Sequence, residues 1–131
     1  MIAALVVLAG SFQVTRPGYS VDEEFTEFAV RGIREHGLPI LPSGLLYDRG
    51  IAYSYASAAI GGRTVSLVCA ALTVVVTFVV VRRYVSATAG LVASALVTTS
   101  IPFWATATTG RFYAPFLLSI LAVIAALQQG P

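Results

Sequence analysis

The chain contains no lysine, and eight arginines carry all of its positive charge. Charged residues make up only 11% of it, where a soluble domain carries about 25%. No acid follows Asp48. Cys69 is the only cysteine, which excludes an internal disulfide and a cysteine metal cluster. Inside an apolar run it reads as a small buried apolar residue. His36 is the only histidine, so no multi-histidine metal site can form. Standing just before Gly37, it fits compensation of a helix C-terminal dipole. No basic patch interleaved with aromatics points to nucleic acid. The N-terminus has neither a basic n-region nor a clear A-x-A cleavage site, so a signal peptide is not expected.

What remains is apolar. The chain of 131 residues is 57% hydrophobic, with a mean hydropathy of +0.85. A chain of this size cannot bury that much apolar surface in its own core, and a membrane solvent accounts for it. Uncharged stretches predict four transmembrane helices, near 1–15, 63–81, 86–107 and 112–128. The second is flanked by Arg63 and Arg82, and residues 64–81 span roughly 27 Å as a helix. The third is rich in small residues (Ala87, Ala89, Gly90, Ala93, Ser94, Ala95) that permit close helix packing in lipid. Pro102 is expected to kink or end it. The predicted fold class is all-α, a polytopic transmembrane bundle with amphipathic surface helices in a first extracytoplasmic loop, 16–62. The short first apolar run and the stop just after a helix suggest that 1–131 is one N-terminal membrane region of a larger protein.

Arg82 and Arg83 lie in a tight connection, which favours the cytoplasm. Residues 16–62 and the turn around Gly110 then lie outside. The expected localisation is multi-pass in the plasma membrane, with the active face extracytoplasmic. Within the loop, Phe25, Phe28, Ala29, Gly32 and Ile33 follow the spacing of an amphipathic helix. Ser20 and Glu23 have capping-box spacing, and Gly37 suits a helix C-terminus. Pro39, Pro42 and Gly44 end that helix. A second, weakly amphipathic stretch at 51–60 leads to Gly61-Gly62. Both helices fit a membrane surface.

All six acidic residues lie between Asp22 and Asp48, and the cluster Asp22-Glu23-Glu24 follows the first apolar run. That places carboxylates where water meets the bilayer. By helical phase Asp22 falls within the stripe of Phe25, Ala29 and Ile33, and Glu23 and Glu27 point away. Asp22 is thus the acid expected to face protein or bilayer. A held, partly desolvated carboxylate suits a general base; complementing the helix N-terminal dipole is the structural alternative. Glu23 reads as half of a capping box. Glu27, Arg31 and Glu35 are spaced for a solvated ion-pair ladder. Arg63 and Arg111 mark the expected outer ends of membrane helices, where they can snorkel to headgroups or grip a lipid phosphate. Tyr47, Tyr53, Tyr55 and Tyr113 are interfacial belt aromatics or the lining of a sugar or lipid-phosphate pocket.

The ordered set of parts resembles a known family. After an apolar helix come Tyr19-Ser20-Val21-Asp22-Glu23-Glu24, then Glu35-His36-Gly37-Leu38-Pro39, Pro42-Ser43-Gly44, Tyr47-Asp48-Arg49-Gly50, Tyr53-Ser54-Tyr55, Gly61-Gly62-Arg63 and Gly110-Arg111-Phe112-Tyr113. This is similar to the N-terminal part of C-type membrane glycosyltransferases, in the protein O-mannosyltransferase and aminoarabinose-transferase superfamily. The resemblance implies an inverting transferase of the cell envelope that moves a sugar from a polyprenyl-phosphate-linked donor to an acceptor hydroxyl. It implies Asp22 as the catalytic aspartate with Glu23 beside it. Arg63 and Arg111 are candidates to hold the lipid phosphate, and Tyr47, Arg49, Tyr53 and Tyr113 to line the site. No cofactor is required with certainty, and a divalent metal stays open. The implied partners are the polyprenyl-phosphate-linked sugar, membrane lipids and the remaining C-terminal part of the protein. The alternative is a non-catalytic helical membrane protein, an assembly subunit or transporter fragment, whose acids are only surface charge.

Overall fold

The computed structural model describes residues 1–14, 18 and 20–127, with side chains omitted for 12–14. Tyr19 and residues 128–131 of the sequence argument lie outside the described residues. Among those described, the regular structure is helical: α1 (Ile2–Val14), α2 (Val21–His36), α3 (Ile51–Ile60), α4 (Gly62–Tyr84), α5 (Ala87–Thr99), α6 (Ile101–Ala107) and α7 (Tyr113–Leu127). One isolated bridge joins Ile40 to Leu46.

Helix α4 is the hub: α1, α3, α5, α6 and α7 all pack on it. Val6 of α1, Leu67, Ala70 and Val74 of α4, and Phe103 and Ala107 of α6 form the buried apolar cluster. Small residues set the closest approaches. A Cβ on Gly10 would overlap the Leu67 side chain, and one on Gly90 would lie 2.9 Å from the Phe78 carbonyl oxygen. The buried Ser94 hydroxyl donates across to the Val74 carbonyl at 3.3 Å. The small-residue face of α5 therefore packs on α4, as close approach requires. Much of the exterior is apolar, with Leu72, Val79, Leu96, Phe116 and Val123 among the exposed side chains.

Helix α4 has 23 residues, and its apolar 18-residue stretch has a mean hydropathy of 2.6. It is about 35 Å long, enough for a hydrocarbon core of about 30 Å. Among the described residues it is the one single helix long and apolar enough to cross a membrane; α5 and α6, bent by 71°, count as a second only if taken as one span. The expected helix 86–107 is thus two helices. Ser100 is extended at the break, its hydroxyl accepts from the Phe103 N–H, and Pro102 sits in the first turn of α6. A proline has no N–H to donate and its ring clashes with the carbonyl four residues back, so α5 cannot run through Pro102, while the first turn of a new helix accepts it. Helices α1 and α7, with 13 and 15 residues, reach only about 20 and 22 Å. Four full spans are therefore not shown.

Both expected loop helices form. Ser20 and Glu23 make a reciprocal capping box, and Gly37 closes α2 at φ 77°. The sparse ladder does not form: among the described residues no ion pair joins Glu27, Arg31 and Glu35. Helix α3 packs between α2 and the N-terminal half of α4. The acids at the start of α2 and the α6–α7 turn therefore gather at the N-terminal end of α4, with Arg82 and Arg83 at its other end.

Candidate functional site

Two adjacent carboxylates have opposite environments. The Glu23 side chain is 5% exposed and that of Asp22 68%. The helical-phase expectation that Asp22 turns inward is corrected here. Asp22 has the right phase, but it stands in a first turn where Val21, Glu24 and Phe25 are exposed as well. Glu23 folds back to cap Ser20, and from there reaches two distant segments.

The Glu23 carboxylate accepts four hydrogen bonds from three residues. It accepts from the Ser20 N–H at 2.9 Å, from Arg63 Nε at 3.0 Å and Nη2 at 3.2 Å, and from the Gly110 N–H at 2.6 Å. Arg63 also donates to the Gly18 carbonyl. Burial pushes the carboxyl up; the Arg63 side chain and the Ser20 and Gly110 N–H groups more than reverse this and hold it at about 2. A carboxylate with this many donors stays charged and ties α2 to α4 and to the α6–α7 turn. The approach at 110 is close: a Cβ there would meet Glu23 Oε1 at 3.3 Å, so the carboxylate would have to shift by a few tenths of an ångström.

Asp22 meets a different arginine. Arg111, 8% exposed, donates through Nη1 to the Asp22 carbonyl at 2.7 Å and lies 3.3 Å from its Oδ1. Its Nη2 donates to the Tyr113 hydroxyl at 3.1 Å, and its guanidinium stacks on the Tyr113 and Phe112 rings. The buried Nε has no partner among the described residues. A hollow of about 390 Å³ opens beside this pair. Asp22, Asp48, Arg111, Arg49 and Tyr47 line its polar side, and Phe25, Leu41, Leu45 and Leu46 its apolar side. The turn carrying these leucines is held by the Leu41 N–H to the Leu45 carbonyl and the Tyr47 N–H to the Pro39 carbonyl.

The residues singled out in the sequence thus divide. Asp22, Tyr47, Arg49 and Arg111 share the hollow, with Tyr113 attached through Arg111. Glu23 and Arg63 form a neighbouring buried pair outside that lining. Tyr53 is buried against α4, donating to the Gly62 carbonyl at 2.8 Å and lying 3.0 Å from the Ser66 hydroxyl. Burial first, then the nearby Glu23 charge, push its phenol up to about 12, against the hydrogen bond with Ser66. The leucine wall went unnoticed in the sequence; its visible trace is Leu45-Leu46 directly after the Pro42-Ser43-Gly44 turn. Among the described residues no three His, Cys, Asp or Glu side chains converge as a metal site.

The arrangement offers two open carboxylates, Asp22 and Asp48, with two arginines, Arg49 and Arg111, in a hollow half lined by leucine. No protein-family model, curated protein or solved structure matches the chain.

Proposed function

We propose that this chain belongs to the membrane region of a glycosyltransferase that moves a sugar from a polyprenyl-phosphate-linked donor to an acceptor hydroxyl on the extracytoplasmic face of the plasma membrane. The reading takes α4, the bent α5–α6 pair and the shorter apolar helices as membrane-embedded, which accounts for the apolar exterior. The observation that carries it is the pairing of Asp22 with Arg111 at the mouth of the 390 Å³ hollow. A lipid phosphate has a charged head and an apolar tail, and this hollow has two arginines beside two carboxylates at one side and leucines at the other.

In this reading Asp22 takes the proton of the acceptor hydroxyl as its oxygen attacks the anomeric carbon. The bond from that carbon to the phosphate oxygen breaks, and Arg111 and Arg49 stabilise the negative charge left on the lipid phosphate. Glu23 holds the N-terminus of α2 in place and does not touch substrate. A non-catalytic membrane subunit is the second reading, and one observation favours it: each inner acid already faces an arginine of the same chain, Asp22 with Arg111 and Glu23 with Arg63.

Transfer from a radiolabelled polyprenyl-phosphate sugar, in membranes holding the natural full-length protein, separates the two. Asp22→Asn is expected to lower transfer by about 100-fold or more, the scale of general-base catalysis, with membrane insertion unchanged. Turnover equal to wild type, or no transfer from any lipid-linked sugar by the wild type, overturns the transferase reading.

A further inference from the structure

A separate hollow of about 230 Å³ lies between α2, the start of α4 and Gly110. Nothing in the transferase reading uses it. Drug-sized ligands occupy roughly 300–1,000 Å³, so this space suits a small polar group.

Three features say what kind. First, α4 opens here. Its first internal hydrogen bond runs from the Val65 N–H to the Gly61 carbonyl at 3.0 Å. The N–H groups of Gly62 and Thr64, both lining the hollow, have no acceptor among the described residues. The open end of a 23-residue helix is a positive terminus with unpaired donors. Second, Thr26 lines the hollow from α2, is 3% exposed, and its hydroxyl has no partner among the described residues. A buried hydroxyl left without a partner is unfavourable, and a ligand oxygen in the hollow would supply one. Third, Arg34 is fixed at the rim, with Nε and Nη2 donating to the Ala58 carbonyl at 3.3 and 3.1 Å. Of the charges around the hollow, Glu23 and Arg63 face each other. Arg34 and the helix end then stand against Glu27 alone.

We propose that this hollow binds a phosphate-sized oxyanion that carries a proton. Its oxygens take the Gly62 and Thr64 N–H groups and the Thr26 hydroxyl, and Arg34 offsets its charge. Its P–OH donates to the Glu27 carboxylate. Glu27 thereby selects hydrogen phosphate over sulfate, which has no proton to give at neutral pH. The group is inorganic phosphate or the phosphomonoester head of a lipid. The site does not depend on Asp22 or on the transferase reading.

Thermal melting of the full chain in detergent tests it, with phosphate, sulfate or chloride titrated at matched ionic strength. A second arm uses nanodiscs with phosphatidic acid or phosphatidylcholine alone. Phosphate is expected to raise the melting temperature saturably and sulfate much less. Thr26→Val keeps the side-chain shape and is expected to weaken the phosphate response roughly tenfold or more, the worth of one hydrogen bond to a charged group. Arg34→Gln, which removes the offsetting charge at the rim, gives a second readout should Thr26→Val fold poorly. Stabilisation by phosphatidic acid nanodiscs alone, lost in the variants, assigns the site to a lipid head. No stabilisation in either arm, or equal responses of wild type and both variants, overturns the proposal.

Discussion

Replacing Glu23 by glutamine keeps the side-chain shape and removes one charge from a buried junction. Its carboxylate is 5% exposed and the Arg63 side chain 12%, so neither is screened by water. The drop of the Glu23 carboxyl from 4.5 to about 2 corresponds to about 3 kcal/mol, at about 1.4 kcal/mol per pKa unit. Removing one partner of a buried pair costs about 3–5 kcal/mol by an independent route, because the other charge is left uncompensated. The two routes agree, and Glu23→Gln is expected to lose about 3 kcal/mol in reversible unfolding from detergent micelles or bicelles. Arg63→Met added to Glu23→Gln should recover most of that loss, since the buried positive charge is then removed together with the negative one. The pH dependence has a fixed sign. The folded carboxyl lies below its unfolded value, so the contribution is complete above about pH 4.5 and is lost as the pH falls through about 2. In Glu23→Gln that acid-side slope should flatten. A loss under about 0.5 kcal/mol, the range of ordinary surface substitutions, would refute the reasoning.

Two further outcomes follow from the packing and the proposed orientation. Gly90→Leu forces side-chain atoms into the Phe78 backbone, where a Cβ alone would lie 2.9 Å from the carbonyl oxygen; it should cost about 1–3 kcal/mol in the same unfolding assay, while Ala95→Leu on the exposed face of α5 changes little. With Cys69 replaced by alanine, Ser43→Cys should react with an impermeant thiol reagent in intact cells and Arg83→Cys only after permeabilisation; the reverse pattern inverts the proposed orientation.

Local features of the fold were legible because their causes are local. The capping box needs only Ser20 and Glu23, three residues apart, and the stop at Gly37 needs only one glycine with positive φ. The break before Pro102 follows from proline's missing N–H and its ring clash with the preceding turn, though not its 71° size. The site was legible only in its ingredients. Glu23 finds Arg63 across 40 residues and Gly110 across 87, and no spacing rule reaches that far. Arg63 and Arg111 looked alike as helix-end cations. Tertiary packing assigns one to the buried Glu23 and the other to the open Asp22. Helical phase failed for Asp22 because it describes direction around an axis and not how far the covering elements extend along it.

The account turns on a division of labour between two neighbouring acids, one open and one buried. Transfer rate and unfolding free energy measured together on Asp22→Asn and Glu23→Gln test it most directly. The expected result is that Asp22→Asn loses transfer by about 100-fold or more and keeps wild-type stability within about 0.5 kcal/mol, while Glu23→Gln loses about 3 kcal/mol of stability. An Asp22→Asn protein that transfers sugar normally, or one that is destabilised as much as Glu23→Gln, would contradict it.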